Sequence, residues 1–122
     1  MKRVAIIRCE KNMDRCPLKC LVGKKEGFEM YEDCMPAGVF TCRCPGDNVV
    51  DLSKILKAKG AEAIHFCTCT FADKTDKGWI LGNGGFCESI DEIIDKVNKE
   101  TEHPCVKGTV HLPKDYSIKS WD

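Results

Sequence analysis

Ten cysteines are spread over 122 residues, and two pairs stand one residue apart, Cys42-Arg43-Cys44 and Cys67-Thr68-Cys69. Thiolate sulfur is a soft donor that binds zinc and iron strongly, and a shell of such ligands supplies the negative charge these metals need. The same sulfur atoms are nucleophiles and electron donors once deprotonated, so thiol-based redox chemistry is the competing use. Spacing narrows the metal reading. No Cys-x-x-Cys occurs anywhere in the chain, which speaks against zinc ribbons, thioredoxin-like pairs and ferredoxin runs. A site has to be assembled from separate loops, and the elements that carry those loops decide whether this can happen.

The stretch Val39-Phe40-Thr41-Cys42-Arg43-Cys44-Pro45-Gly46-Asp47 shows how. An apolar run ends in two thiols, and a Pro-Gly turn then leads into residues with helical spacing, so a strand, a cysteine loop and a helix start follow one another. The helix is expected over 47–59, capped by Asp47, with Val49, Leu52, Ile55 and Leu56 on one side and Gly60 as its stop. Upstream, Val4-Ala5-Ile6-Ile7 is a short β-branched run that reads as a buried parallel strand entering Arg8-Cys9. Cys16-Pro17 has the form of a helix start, with Leu18, Leu21 and Val22 before Gly23. Residues 28–35 fit an edge strand or an irregular link, and Ala37 to Thr41 is a strand.

Downstream, Ala61 to Cys67 is a strand on which His65 shares a face with Ala63 and Cys67, so His65 reads as a hydrogen-bonded core histidine able to orient a thiolate. Residues 70–86, with Gly82-Asn83-Gly84-Gly85, read as a long lid carrying Trp79, Ile80 and Leu81. Ser89-Ile90-Asp91-Glu92 is a capping box that opens a helix over 89–100. Cys105 to Val110 is the last strand and leads to His111, followed by a polar tail over 113–122. Strand and helix alternate four times. The expected fold is therefore α/β: a single three-layer domain over 1–122, with a mostly parallel sheet of four or five strands, Rossmann-like or flavodoxin-like. In such a sheet the carboxyl ends share one edge, which gathers Cys9, Cys42, Cys44, Cys67, Cys69 and His111 there. Cys34, Cys105 and Cys20 read as packing residues, since free cysteine is among the most buried types.

Charge and composition restrict the partners. Lys and Arg number 19 against 19 Asp and Glu, so no net field draws in nucleic acid or an anionic membrane, and neither is an expected partner. Residues 2–26 nonetheless hold eight basic side chains against three acidic ones. Arg8, Arg15 and Arg43 lie beside cysteines in sequence, where positive charge favours thiolate. Only four apolar residues follow Met1-Lys2-Arg3 before Arg8, too few for the core of a signal peptide, so a cytoplasmic location with reduced thiols is expected.

Taken together, Val4-Ala5-Ile6-Ile7-Arg8-Cys9, Cys16-Pro17, Cys44-Pro45-Gly46, Ala63-Ile64-His65 leading to Cys69, Cys87 followed by Ile90-Asp91-Glu92-Ile93, and Gly108-Thr109 before His111 resemble the CGGC domain. This is a small cysteine-rich domain of bacteria and archaea to which metal binding is attributed. The resemblance implies Cys9, Cys16, Cys44, Cys69 and Cys87 as ligands of zinc or an iron–sulfur cluster, with Cys42 and Cys67 as local substitutes. Departures are plain: Arg43 alone separates two cysteines where the family has two glycines, Ser89 stands where a histidine is expected, and Val110 intervenes before His111. A second stretch, Cys9 to Arg15, has the Cys-x5-Arg form and is similar to the phosphate loop of low-molecular-weight tyrosine phosphatases and arsenate reductases, with Cys9 as nucleophile and Arg15 as oxyanion holder. Glu10 and Asp14 would repel the anion, and no Asp-Pro near the C-terminus offers a general acid.

Overall fold

The computed structural model describes residues 2–9, 34–43, 48–75, 78–81, 90–108 and 116–122. Along the chain run β1 (Lys2–Cys9), β2 (Cys34–Cys42), α1 (Val49–Ala58), β3 (Ala63–Phe66), β4 (Ala72–Thr75), β5 (Gly78–Leu81), α2 (Ile90–Thr101), β6 (Cys105–Lys107) and β7 (Lys119–Trp121). Val4 to Ile7 are completely buried, as a continuous β-branched run requires, and β1 lies inside the sheet rather than at an edge. The sheet has the order β2-β1-β3-β6-β7; its first four strands are mutually parallel and β7 is antiparallel to β6. The fold is thus α/β with a five-stranded, mostly parallel mixed sheet.

Both helices lie on one face of that sheet. Val49 and Leu56 of α1 and Ile90, Ile94 and Val97 of α2 share a core with Ala5, Ile7, Ile64 and Phe66. Lys54 also pairs with Glu100 across the two helices at 3.7 Å. Right-handed crossovers explain the shared face: β2 to β3 and β3 to β6 step the same way across the sheet, whereas β1 to β2 steps the other way. The helix expected after Cys16-Pro17, which would supply the third layer, lies outside the described residues. Full burial of each Leu or Ile here contributes about 1.5–3 kcal/mol. Gly38 of β2 makes the contact with α1 possible, because a Cβ there would collide with Cδ2 of Leu56.

Helix ends follow their residue chemistry. At the end of α1, the Gly60 and Ala61 N–H groups donate to the carbonyls of Lys57 and Leu56, both at 3.0 Å, with Gly60 at φ 102°. That is the glycine-terminated stop that the sequence predicts. At the other end, Asn48 rather than Asp47 borders the helix, and the Asn48 carbonyl accepts from the Leu52 N–H at 3.1 Å.

Two expectations are corrected. Strand β2 starts at Cys34, not Ala37; a bulge at Ala37, between the pairs Val4–Pro36 and Ala5–Gly38, accommodates a proline on an edge strand. The lid read over 70–86 contains an antiparallel ribbon, β4 with β5, in which Thr75 pairs with Gly78. Of the polar tail over 113–122, residues 116–122 are described and pack on the sheet and core. In it, β7 closes the edge of β6, Trp121 and Tyr116 pack on the core, and the Tyr116 hydroxyl donates to the Lys107 carbonyl at 2.5 Å. Two aromatic rings in a polar stretch supply enough apolar area to hold it down.

Candidate metal centre

Three strands deliver a cysteine to the carboxyl edge of the sheet. Cys9 ends β1, Cys42 ends β2, and the two are register partners on adjacent parallel strands. Cys67 follows β3 and extends its ladder, its N–H donating to the Ile7 carbonyl at 2.8 Å. All three are buried, with exposures of 5%, 6% and 5% in chain order. Side-chain alternation sorts them by face. Cys9, two residues past Ile7, lies with Cys42 on the side of α1, where Cys42 packs in the core with Val49 and Leu56. Cys67 falls with His65 on the opposite side. The rim of the sheet is where the two sets meet.

Side-chain bonds fasten that rim. Asn48 does not cap α1 with its side chain; its Nδ2 donates to the Thr41 carbonyl at 3.0 Å and its Oδ1 accepts from the Arg43 N–H at 3.3 Å. The residues on both sides of Cys42 are therefore tied to the residue that borders the start of the helix that follows. Sequence reasoning passed over Asn48, although an Asn directly ahead of a helical pattern is the signal for such a bond. Arg8 sends Nε to Thr41 Oγ1 at 3.0 Å. By alternation the Arg8 side chain is on the face opposite Cys9, and its bond to Thr41 draws it toward β2. The Arg43 side chain is exposed.

His65 is fully buried, as its strand position predicts. Its Nδ1–H donates to the Gly108 carbonyl at 3.0 Å, and Gly108, at φ 131°, returns its N–H to the Phe66 carbonyl. Burial lowers the His65 pKa from 6.5 to about 4 against the opposing pull of that hydrogen bond. The ring is neutral at physiological pH and carries its lone pair on Nε2. Cys105 provides the contrast. It opens β6 at the far end of the sheet, is a free thiol, and donates weakly to the His103 carbonyl at 3.6 Å. Desolvation pushes its pKa from 9.0 up to about 12, which marks it as the packing residue expected.

Cys69 lies in the short 3-10 turn Thr68–Thr70 directly after Cys67. Cys16, Cys44, Cys87 and His111, together with Arg15 of the Cys-x5-Arg stretch, lie outside the described residues. Among the described residues, no three His, Cys, Asp or Glu side chains are gathered closely enough to hold a metal ion. Nor is any described helix long and apolar enough to cross a membrane.

The model of the CGGC domain matches residues 3–110. An uncharacterized protein of Methanocaldococcus jannaschii, MJ0582, is 37% identical over 125 residues, which covers 92% of this chain and 89% of that protein. No solved structure matches the chain.

Proposed function

Given that the chain belongs to the CGGC domain family, we propose that it binds a thiophilic metal, zinc or an iron–sulfur cluster, through thiolates on the loops after β1, β2 and β3. The observation that carries this reading is the register pairing of Cys9 with Cys42 at the carboxyl edge, with Cys67 one strand away on the same rim. Beyond the last rung of a sheet nothing separates its two faces, so donors from both can reach a centre there. Zinc or a cluster takes four protein donors, so in this proposal the rest of the shell is drawn from Cys44 and Cys69, each two residues past a rim cysteine, and from Cys16, Cys87 and His111. When bound, zinc would crosslink the loops or act as a Lewis acid, and a cluster would store an electron.

The parallel strands stand in the order 2-1-3-4, which we read as flavodoxin-like. In that order the connections leave β1 and β3 in opposite directions, and the crevice between them is flanked by Cys9 and Cys67. A neutral overall charge suits a small ligand better than a polyanion, and reduced donor thiols suit the cytoplasm.

The test is metal and acid-labile sulfide analysis of protein purified without oxygen, with a visible spectrum. Iron with sulfide identifies a cluster, and zinc with a colourless protein a zinc site. No metal, with every cysteine titratable as thiol, overturns the proposal.

A further inference from the structure

Register partners on adjacent parallel strands have Cα atoms about 4.8 Å apart, inside the roughly 4.4–6.8 Å range over which a disulfide closes. Cys9 and Cys42 meet this condition, and alternation directs both side chains to the α1 side. Among the other described cysteines, Cys34 and Cys105 open β2 and β6 at the far end of the sheet, Cys67 falls on the opposite face, and Cys69 lies in the turn that follows it. Asn48 bonds to the residues before and after Cys42, so the end of β2 is held while chemistry occurs on it.

From this juxtaposition we propose that Cys9 and Cys42 form a reversible thiol–disulfide couple, and that closing it strips two donors from the metal site and releases the metal. Release rests on the metal-binding reading above; closure of the bridge does not. The oxidant is a small-molecule disulfide. One cysteine thiolate attacks a sulfur of that reagent, forming a mixed disulfide and expelling a first small thiol. The partner thiolate then attacks the protein sulfur of the mixed disulfide, forming the Cys9–Cys42 bond and expelling a second small thiol. Two electrons pass from the pair to the reagent, and the two thiol protons end on the two expelled thiols. In-register side chains on parallel strands run alongside each other rather than converge, so the bridge has to bend the strand ends. Strained bridges are the readily reduced ones, which makes the couple reversible.

The experiment uses the full chain in two samples, as purified without oxygen and after metal removal by a chelator. Both are equilibrated with glutathione buffers of increasing oxidised fraction, alkylated, digested and mapped by mass spectrometry, with metal counted per chain. The expected result is a Cys9–Cys42 bridge in the stripped sample, reversed by dithiothreitol, absent in Cys9→Ser and Cys42→Ser and retained in Cys105→Ser. In the purified sample, metal should fall in step with bridge formation. A stripped protein that forms no bridge, or joins either cysteine to another partner instead, overturns the couple. Bridge formation at constant metal content overturns the release. Protein that holds no metal at purification ends the metal reading and with it the release, while the stripped sample still decides the couple.

Discussion

Cys42 and Cys105 belong to the same core, both are buried, and both sit at the end of a strand beneath the same pair of helices. What separates them is the direction of the chain. Cys42 ends its strand at the edge where α1 begins, so the positive end of a helix points toward it. Cys105 begins its strand at the opposite edge, where α1 ends at Ala58 and α2 ends at Thr101, so the helix dipoles oppose a thiolate there. The macrodipole is worth only about 0.3–1 kcal/mol at each end. Cys42 also has a cysteine as its register partner, whereas Cys105 has Ile64 on one side and Trp121 on the other. Burial alone therefore does not identify a packing cysteine; the strand end and the cross-strand neighbour do.

The sharpest way to break this contrast is thiol reactivity. Raising the Cys105 pKa from 9.0 to about 12 lowers its thiolate fraction about 1000-fold. Alkylation of native, metal-free protein, followed residue by residue, should therefore modify Cys105 at least about that much more slowly than in the urea-unfolded chain. Equal rates in the two states would return Cys105 to the reactive class.

Between the two edges, His65 gives a smaller effect with a definite sign. Its folded pKa is lowered, so as pH falls the unfolded chain takes up the proton first, and folded stability is lost from pH 6.5 down to about 4. The loss is about 3 kcal/mol, measured by urea unfolding of metal-free protein across that range. A His65→Gln variant should show a correspondingly flatter profile, and an unchanged slope would mean that other groups carry it. Smallest is Asn48→Ala, which removes one partly buried and one exposed hydrogen bond beside Cys42. It should cost about 1–2 kcal/mol of stability and make metal leave faster on chelator challenge, whereas loss of stability without faster release would confine Asn48 to a structural role.

Much of this layout could be read from residue patterns. Val4 to Ile7, the 3.6-residue spacing over 49–58 and 90–101, and Gly60 give two helices and the strands that carry Cys9, Cys42 and Cys67, because periodicity and terminal residues encode local structure directly. Long-range pairing is not encoded in that way. Ala72-Asp73-Lys74-Thr75 has weak strand propensity and becomes a strand only through its pairing with Gly78 to Leu81. Lys119 to Trp121 becomes the fifth strand because β6 offers an edge and Trp121 a place in the core. At the site, the strand ends point to Cys9, Cys42 and Cys67 as neighbours on one edge, yet only the register shows that Cys9 faces Cys42 and that Cys67 lies across the sheet. A one-residue slip would invert that arrangement.

We propose that position on the carboxyl edge, not burial, makes a cysteine of this chain a metal ligand. Cys42→Ser and Cys105→Ser alter the two thiols of one core identically, replacing a soft donor with a hydroxyl of similar size. Both proteins, purified side by side without oxygen, should be assayed for metal per folded chain. Cys42→Ser should lose most of its metal while Cys105→Ser keeps the wild-type content. Equal occupancy in the two variants would contradict it.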